Sequence, residues 1–343
     1  MAIDTQKVQE ISKSKSGSRL PLFGAAIALI VALLLPSVLN SANSSVYVYT
    51  MLYAIVAVGL SLLIGYAGQV SLGQAVFVAV GAYTAAILSA HGVPTILAFI
   101  LAPFVSMMVA LIVGIPLLTL RGNYLAFGTL ALQLIILGVV ANTTFLGGSL
   151  GIPSIPQLGL TSSLQLGSAK SYAWWRLVLL VGVLIVSRNL INSRPGRGLR
   201  ALATTEIGAA AAGVPVGRYR LYAFLLSAAY GGIAGAVYAF FTGFISPNSF
   251  SVLLSIEFIV MIMVGGSRSI WGAVVGAFVI SILVQVLNTL GTLHGLPNSM
   301  PAIFSYAAYG LLLVVIIRYM PDGIVAWFGK RLGRLTTASK NLD

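Results

Sequence analysis

The stretch TILAFILAPFVSMMVALIVGIPLLT, residues 95–119, contains no charged side chain and is decisive for the fold class. An α-helix needs about 20 apolar residues to cross the hydrocarbon core of a bilayer, because each residue advances the helix by about 1.5 Å. Pro103 and Pro116 interrupt this stretch, but neighbouring helices can satisfy the backbone groups that a proline leaves free within a membrane. Residues 95–119 are therefore predicted to form a transmembrane helix.

Similar apolar stretches recur along the whole chain. The predicted spans are residues 22–39, 46–64, 74–90, 95–119, 124–142, 172–190, 221–242, 252–265, 272–290 and 302–318. The composition agrees, since 59% of residues are hydrophobic and 7% are charged, whereas a soluble domain carries about 25% charged residues. We expect an all-α integral membrane protein of about ten transmembrane helices. Residues 21–325 would form one membrane domain, between a cytoplasmic leader at 1–20 and a cytoplasmic tail at 326–343.

The basic residues indicate how this domain is oriented. Of the 19 lysines and arginines, all but Lys170 and Arg176 fall on the same side of the predicted topology. Basic residues are retained on the cytoplasmic side during insertion and are attracted there by anionic lipid. Both termini are therefore predicted to be cytoplasmic, and the net charge of +13 requires no nucleic acid as partner.

Several classes of function find little support in the residues. The chain has no cysteine, and its two histidines, His91 and His294, stand in separate loops, so neither a metal cluster nor a nucleophile with its base is expected. No phosphate-binding GxxxxGK[ST] motif occurs, so any ATP hydrolysis must reside on another chain. We expect no cofactor and no enzyme activity.

Glu257 is the one carboxylate inside a predicted span. Transporters driven by an ion gradient usually carry several acids or histidines within the membrane, which makes an ion-coupled secondary transporter the less favoured alternative. Two interpretations of Glu257 stay open. It is either a polar point on a translocation path, where it could meet a substrate amino group, or a protonated or hydrogen-bonded contact between helices.

A segment rich in glycine and polar residues separates two apolar spans at residues 65–74. Its candidate path residues are Gly68, Gln69, Ser71 and Gln74. Non-helical backbone at membrane depth survives only where protein or a water-filled cavity satisfies it, so this segment could line a pore. A plain cytoplasmic turn is the alternative.

Two connections are long. The outer loop, residues 145–171, is rich in Gly, Ser and Pro, which suits a loop on the outer mouth of a pore. The inner loop, residues 192–220, contains an Ala-rich run that predicts a short helix ended by Gly213. Glu206 has no basic residue three or four positions away, so we expect it to gain little from its own chain and to contact a partner protein. A helix lying on the lipid surface is the alternative.

Many short motifs follow one another between residues 46 and 324. They are Ala75-Val76-Phe77, Gly81-Ala82-Tyr83-Thr84, Arg121-Gly122-Asn123-Tyr124, Gly196-Arg197-Gly198-Leu199-Arg200-Ala201, Ile245-Ser246-Pro247, Gly265-Gly266-Ser267-Arg268 and Pro321-Asp322-Gly323. Their order along the chain is more specific than any one of them alone. On these motifs the chain resembles the LivM class of branched-chain amino acid permeases, in the ATP-binding cassette (ABC) importers.

The resemblance implies a permease fold that forms half of a translocation path for leucine, isoleucine and valine in a bacterial inner membrane. It also implies four kinds of contact: a homologous second permease subunit, two ATPase subunits, an extracytoplasmic substrate-binding protein and membrane lipid. The inner loop matches the family's coupling loop, with Arg197, Arg200, Glu206 and Gly213 as its candidate residues. A urea or short-chain amide permease of the same superfamily is the alternative.

Overall fold

The computed structural model describes residues 41–120, 122–159 and 169–291, with isolated positions between 310 and 324. The predicted leader, 1–20, and the predicted tail, 326–343, lie outside these residues. Over the described residues the chain is helical and has no strand beyond one isolated β-bridge. The described part is thus all-α, as the apolar stretches predict.

The helices are numbered here in chain order. They are α1 Ser41–Ser61, α2 Gln74–Ala90, α3 Thr95–Leu117, α4 Asn123–Asn142, α5 Ala169–Asn192, α6 Arg194–Thr204, α7 Glu206–Ala211, α8 Val216–Thr242, α9 Val252–Gly265 and α10 Ile270–Gly291. A π-helical turn, Leu62–Tyr66, continues α1, and a 3₁₀ turn, Pro247–Phe250, precedes α9. α8 begins after Pro215 and ends at Gly243, whose φ of 67° is left-handed, as is common where helices stop.

Seven helical segments in the described part are long and apolar enough to cross a membrane. They are Val46–Tyr66, Thr95–Leu117, Asn123–Asn142, Trp174–Asn192, Val216–Thr242, Pro247–Gly265 and Ile270–Leu287. The apolar helix α2 is shorter, at 17 residues. Each predicted span between residues 46 and 290 coincides with one of these helices. The predicted spans 22–39 and 302–318 fall outside the described residues, apart from isolated positions in the second.

The helices form an inner and an outer layer. The span that contains α1 is 83% buried and that of α8 is 72% buried, whereas the span of α3 is only 22% buried. α8 packs against α2, α3 and α1, and α9 packs against α10. The exposed face of α3 carries large apolar side chains such as Phe104, Met108 and Ile112. Because water would disfavour such a face, we take it to be the lipid-facing side.

Glycines allow the inner helices to approach closely. A Cβ atom added to Gly235 in α8 would lie 1.9 Å from the carbonyl oxygen of Val78 in α2. A Cβ on Gly276 in α10 would lie 1.8 Å from the carbonyl oxygen of Met261 in α9. The sequence predicts these glycines to be packing residues because small side chains recur there at four-residue spacing, and the structure confirms this.

The first part of the outer loop is fixed to the junction between α8 and α9. Ile152 and Ile245 exchange two backbone hydrogen bonds, of 2.9 and 3.2 Å, in an antiparallel bridge. The amide of Ile155 donates to the carbonyl of Gly243 at 3.0 Å. The loop therefore lies across the ends of the buried helices on the face predicted to be external.

Candidate coupling surface and interior polar network

The inner loop folds into two short helices, where the sequence predicts one. α6 ends at Thr204, and Thr205 adopts an extended conformation before α7 begins at Glu206. The Ser193 side chain caps α6 by accepting a hydrogen bond from the amide of Gly196 at 3.4 Å. Pro195 lies in the first turn of α6, where backbone N–H groups have no acceptor within the helix. The missing N–H of proline therefore costs no helical hydrogen bond there.

Two glycines fit α6 against its neighbours. A Cβ on Gly196 would lie 2.2 Å from the carbonyl oxygen of Ile191, at the end of α5. A Cβ on Gly198 would lie 2.5 Å from the Tyr219 ring, at the start of α8. Both glycines are buried. The two glycines at the start of the predicted coupling loop therefore allow α6 to pack closely against α5 and α8.

The two candidate arginines of α6 have different surroundings. Arg200 donates from Nη2 to the carbonyl oxygen of Ile191 at 3.0 Å, which satisfies a backbone acceptor near the end of α5. Arg197 is exposed to solvent. Arg200 thus connects α6 to α5, whereas the Arg197 side chain is accessible to another molecule.

Glu206 forms an ion pair within its own chain, which corrects the expectation that it gains little there. Both guanidinium Nη atoms of Arg220 donate to its carboxylate, at 3.1 and 2.9 Å. The Glu206 side chain is 38% exposed and the Arg220 side chain is 18% exposed. Arg220 follows Glu206 by 14 residues and lies in α8, beyond the three- and four-residue spacings that pair side chains within one helix. Glu206 therefore holds α7 to the base of α8.

An exposed apolar surface remains on α7. The Ile207 side chain is 85% exposed, and the neighbouring Ala210, Ala211 and Ala212 are exposed as well. Gly213, with φ at 78°, follows the end of α7 in the left-handed region and is also exposed. Sequence reasoning missed Ile207, although a single large apolar residue within an Ala-rich helix was the available signal.

The glycine-rich segment at residues 68–73 runs between α1 and α2 as irregular backbone. Its Gly68 is near α6, since an added Cβ would lie 3.8 Å from the Cα of Ala203. The amide of Leu72 donates to Thr129 Oγ1 in α4 at 2.9 Å. The structure therefore brings this segment next to the inner loop, with its far end packed on α4.

Polar side chains form a buried network at the start of α2. Gln74 is fully buried, and its amide group donates to the carbonyl of Ser227 at 3.0 Å and accepts from the Ser227 hydroxyl at 3.2 Å. Ser255 accepts from the amide of Ala75 at 2.9 Å and donates to Gln133 at 2.7 Å. The network joins α2, α4, α8 and α9. Sequence reasoning missed Gln133, Ser227 and Ser255, which lie far from Gln74 along the chain.

Two further members of the candidate path are buried without a hydrogen-bond partner among the described residues. They are the amide group of Gln69, whose side chain is 3% exposed, and the hydroxyl of Ser71, at 1%. A buried polar group normally has a partner, so such positions are uncommon in folded proteins. Gln69 and Ser71 thus differ from Gln74, whose side-chain amide is hydrogen-bonded to Ser227.

Glu257 lies on α9, partly buried, and interacts electrostatically with Tyr53 of α1. Arg176 is fully buried within α5, although the sequence assigns it to the external side. Its guanidinium carbon lies 4.2 Å from the centre of the Phe241 ring, a cation–π contact with α8. The tertiary structure thus brings two ionisable groups near α1, where the sequence singles out one.

The described residues include no group of three or more His, Asp or Glu that could hold a metal ion. The Nδ1 atom of His91 lies 2.8 Å from the carbonyl oxygen of Ile87, at the end of α2. His294 falls outside the described residues.

Comparison with known proteins identifies the class of this helical bundle. Residues 43–317 match the family described as the permease component of the branched-chain amino acid transport system. The chain belongs to this family, and it is a multi-pass membrane protein of the transport permease class.

Individual relatives are similar over most of the chain. It is 28% identical to the high-affinity branched-chain amino acid transport system permease protein LivM of Salmonella typhimurium and 27% identical to LivM of Escherichia coli. Each alignment covers 87% of this chain and 73% of the relative. A probable LivH permease of Methanocaldococcus jannaschii is 25% identical, and that alignment covers 85% of this chain and 94% of the LivH sequence. No solved structure matches the chain with comparable significance.

Proposed function

We propose that this chain is the permease subunit of an ABC importer for leucine, isoleucine and valine. The observation that carries the proposal is the family match over residues 43–317, together with the LivM relatives at 28% and 27% identity. As proposed, the chain forms half of the translocation path and hydrolyses no ATP itself.

The coupling loop, residues 192–220, would dock on an ATPase subunit. Ile207 would insert into an apolar cleft of that subunit, because a side chain 85% exposed to water gains free energy when a partner covers it. The small residues around it allow close approach, and Arg197 offers a charge at the same end of the molecule. The ion pair between Glu206 and Arg220 would hold this surface in one position before docking.

The assembly would contain a second, homologous permease, two ATPase subunits and an extracytoplasmic binding protein. The similarity of the chain to both a LivM and a LivH of Methanocaldococcus jannaschii supports a pair of related permeases. We place the assembly in a bacterial inner membrane with both termini in the cytoplasm, from the distribution of basic residues.

The translocation path would run past Gly68, Gln69, Ser71, Gln74 and Glu257. Gln69 and Ser71 support this because their polar atoms are buried without partners among the described residues, as expected of groups that become hydrated in another conformation. The hydrogen bonds of Gln74 with Ser227 would have to rearrange before its side chain could face a path.

The proposal can be tested by uptake in cells that lack the gene for this chain. Leucine uptake should be lost, and should return when the chain is produced from a plasmid. Restored uptake should persist when a protonophore collapses the proton gradient while ATP is maintained. Uptake that follows the gradient would instead indicate an ion-coupled transporter, and uptake of urea but not leucine would indicate an amide permease.

A matched pair of variants tests the docking surface in the same cells. Ile207→Asp should abolish leucine uptake and prevent co-purification of the ATPase subunits with the tagged chain, because a buried, unpaired carboxylate is costly. Leu150→Asp changes an equally exposed side chain, at 86%, in the outer loop, and should retain the ATPase subunits. Retention of the ATPases by Ile207→Asp would refute the assignment of the coupling surface.

A further inference from the structure

A cavity of about 270 Å³ lies between α1, α8 and α9. We call it the tyrosine cavity, after Tyr49, Tyr53 and Tyr238, which line it. The remainder of its wall is mostly apolar and includes Leu52, Leu254 and Phe258. Ligand pockets commonly measure about 300–1,000 Å³ and combine apolar walls with a few polar groups. At about 270 Å³ this cavity lies just below that range, and its lining suits one small ligand.

The aromatic side chains around the cavity pack against each other. The rings of Tyr49 and Tyr53 lie 6.5 Å apart, one helical turn apart on α1. The Tyr53 ring meets Phe258 edge-on at 5.6 Å, and the Tyr238 ring meets Phe250 edge-on at 5.6 Å. Such contacts hold a wall in shape, which lowers the cost of binding a ligand.

The two ionisable groups described above give the cavity a polarity. The Arg176 guanidinium carbon lies 4.2 Å from the centre of the Phe241 ring, which meets the Tyr49 ring edge-on at 5.8 Å. Glu257 precedes Phe258, whose ring packs on Tyr53, one turn further along α1. Glu257 also follows Leu254 by three residues, so it borders the lined face of α9. The end near Tyr49 is therefore positive and the end near Tyr53 negative, in surroundings where charges are weakly screened.

We propose that the tyrosine cavity binds one zwitterionic amino acid with an aliphatic side chain during translocation. The ammonium group faces Glu257 and the ring of Tyr53, the carboxylate faces Tyr49 at the Arg176 end, and the aliphatic side chain packs on Leu254 and Phe258. This inference rests on the proposed function and adds a substrate site inside the permease itself, separate from that of the binding protein.

The shape and polarity favour this class of ligand over others. A free inorganic ion would leave the apolar wall uncovered, and an apolar molecule would make no use of the tyrosine hydroxyls in the wall. An amino acid carries its ammonium and carboxylate groups on the same carbon atom, which suits a cavity with a basic side chain near one end and an acidic side chain near the other, one helical turn away. Tyrosine faces also attract ammonium groups directly. Arg176 acts through Tyr49 and is therefore a positioning residue.

Photolabelling of the purified permease assembly with photo-leucine, a leucine carrying a diazirine in its side chain, tests the site. Labelled peptides should include residues 52–56 and 254–258, and excess leucine should suppress the label. 4-Methylpentanoate, which is leucine without its amino group, should suppress it poorly. Label that excess leucine leaves unchanged, or that spreads over the exposed apolar residues of α3, would overturn the proposal.

Variants on α9 supply the controls. Leu254→Trp should fill the cavity and abolish the leucine-protected label, whereas Ile256→Trp, at a 40% exposed position outside the cavity, should keep it. Glu257→Gln should raise the leucine concentration needed for half-suppression by about tenfold, since a charged hydrogen bond is lost. Wild-type leucine uptake without protected label refutes the cavity alone, and absent uptake refutes the proposed function.

Discussion

At the scale of single residues, the ion pair between Glu206 and Arg220 changes how the coupling loop should be probed. A loss of transport in Glu206→Lys would report the broken pair as well as any lost contact with an ATPase, because the carboxylate is satisfied within its own chain. The charge-swapped double variant Glu206→Arg, Arg220→Glu separates the two effects. It restores the pair and still alters the surface offered to a partner.

The pair should stabilise the packing of α7 on α8 by about 1 kcal/mol, the upper part of the range for partly exposed ion pairs. Glu206→Gln should therefore speed proteolytic cleavage between residues 205 and 215 by about fivefold. The charge-swapped variant should return the cleavage rate towards that of the wild type. Equal rates for wild type and Glu206→Gln in the isolated chain would show that the pair does not hold the loop.

At the scale of the helices, close packing depends on particular glycines, whereas other helical glycines make no close contact. Gly235 is buried between α8 and α2, whereas Gly182 in α5 is exposed and an added Cβ would meet nothing within 4 Å. The two positions lie in membrane-spanning helices and differ in what surrounds them. They therefore form a matched pair for separating packing from helix propensity.

Gly235→Ala should destabilise the protein by about 1–3 kcal/mol, the usual cost of overpacking, because its Cβ would require α2 and α8 to move apart. Gly182→Ala should leave stability unchanged or raise it slightly, since alanine is the better helix former. The thermal unfolding temperature of both variants in detergent measures this. Equal unfolding temperatures would contradict the role of Gly235 in the α2–α8 contact.

At the scale of the whole molecule, the inner loop and the outer loop lie at opposite ends of the helices. The outer loop bridges Ile152 to Ile245, where α8 ends, while α6 and α7 pack at the start of α8. Helix α8 therefore connects the two faces of the molecule. This arrangement suits a permease that must transmit a cytoplasmic event to an external mouth.

The orientation of these faces can be measured with introduced cysteines, because the chain has none of its own. Leu150→Cys should react with a membrane-impermeant maleimide in intact cells. Thr119→Cys, also at an exposed position, in the turn between α3 and α4, should react only after permeabilisation. The prediction follows from the retention of basic residues in the cytoplasm. The reverse pattern of labelling would show that the predicted orientation is wrong.

The sequence by itself determined the membrane class, the predicted spans between residues 46 and 290, and the position of the inner loop. These properties depend on the length and polarity of continuous stretches, which must match the thickness of a bilayer whatever the rest of the chain does. The ordered motifs likewise indicate the family from the sequence alone, because each motif consists of neighbouring residues.

The tertiary structure alone decided which side chains meet. Gln74 pairs with Ser227, 153 residues later, and Glu206 pairs with Arg220 across the break between two helices. Arg176 is assigned to the external side by its place in the chain, yet is buried against Phe241. Such contacts depend on how helices pack and on the rotation of each helix, and apolar stretches without a polar face leave that rotation unspecified.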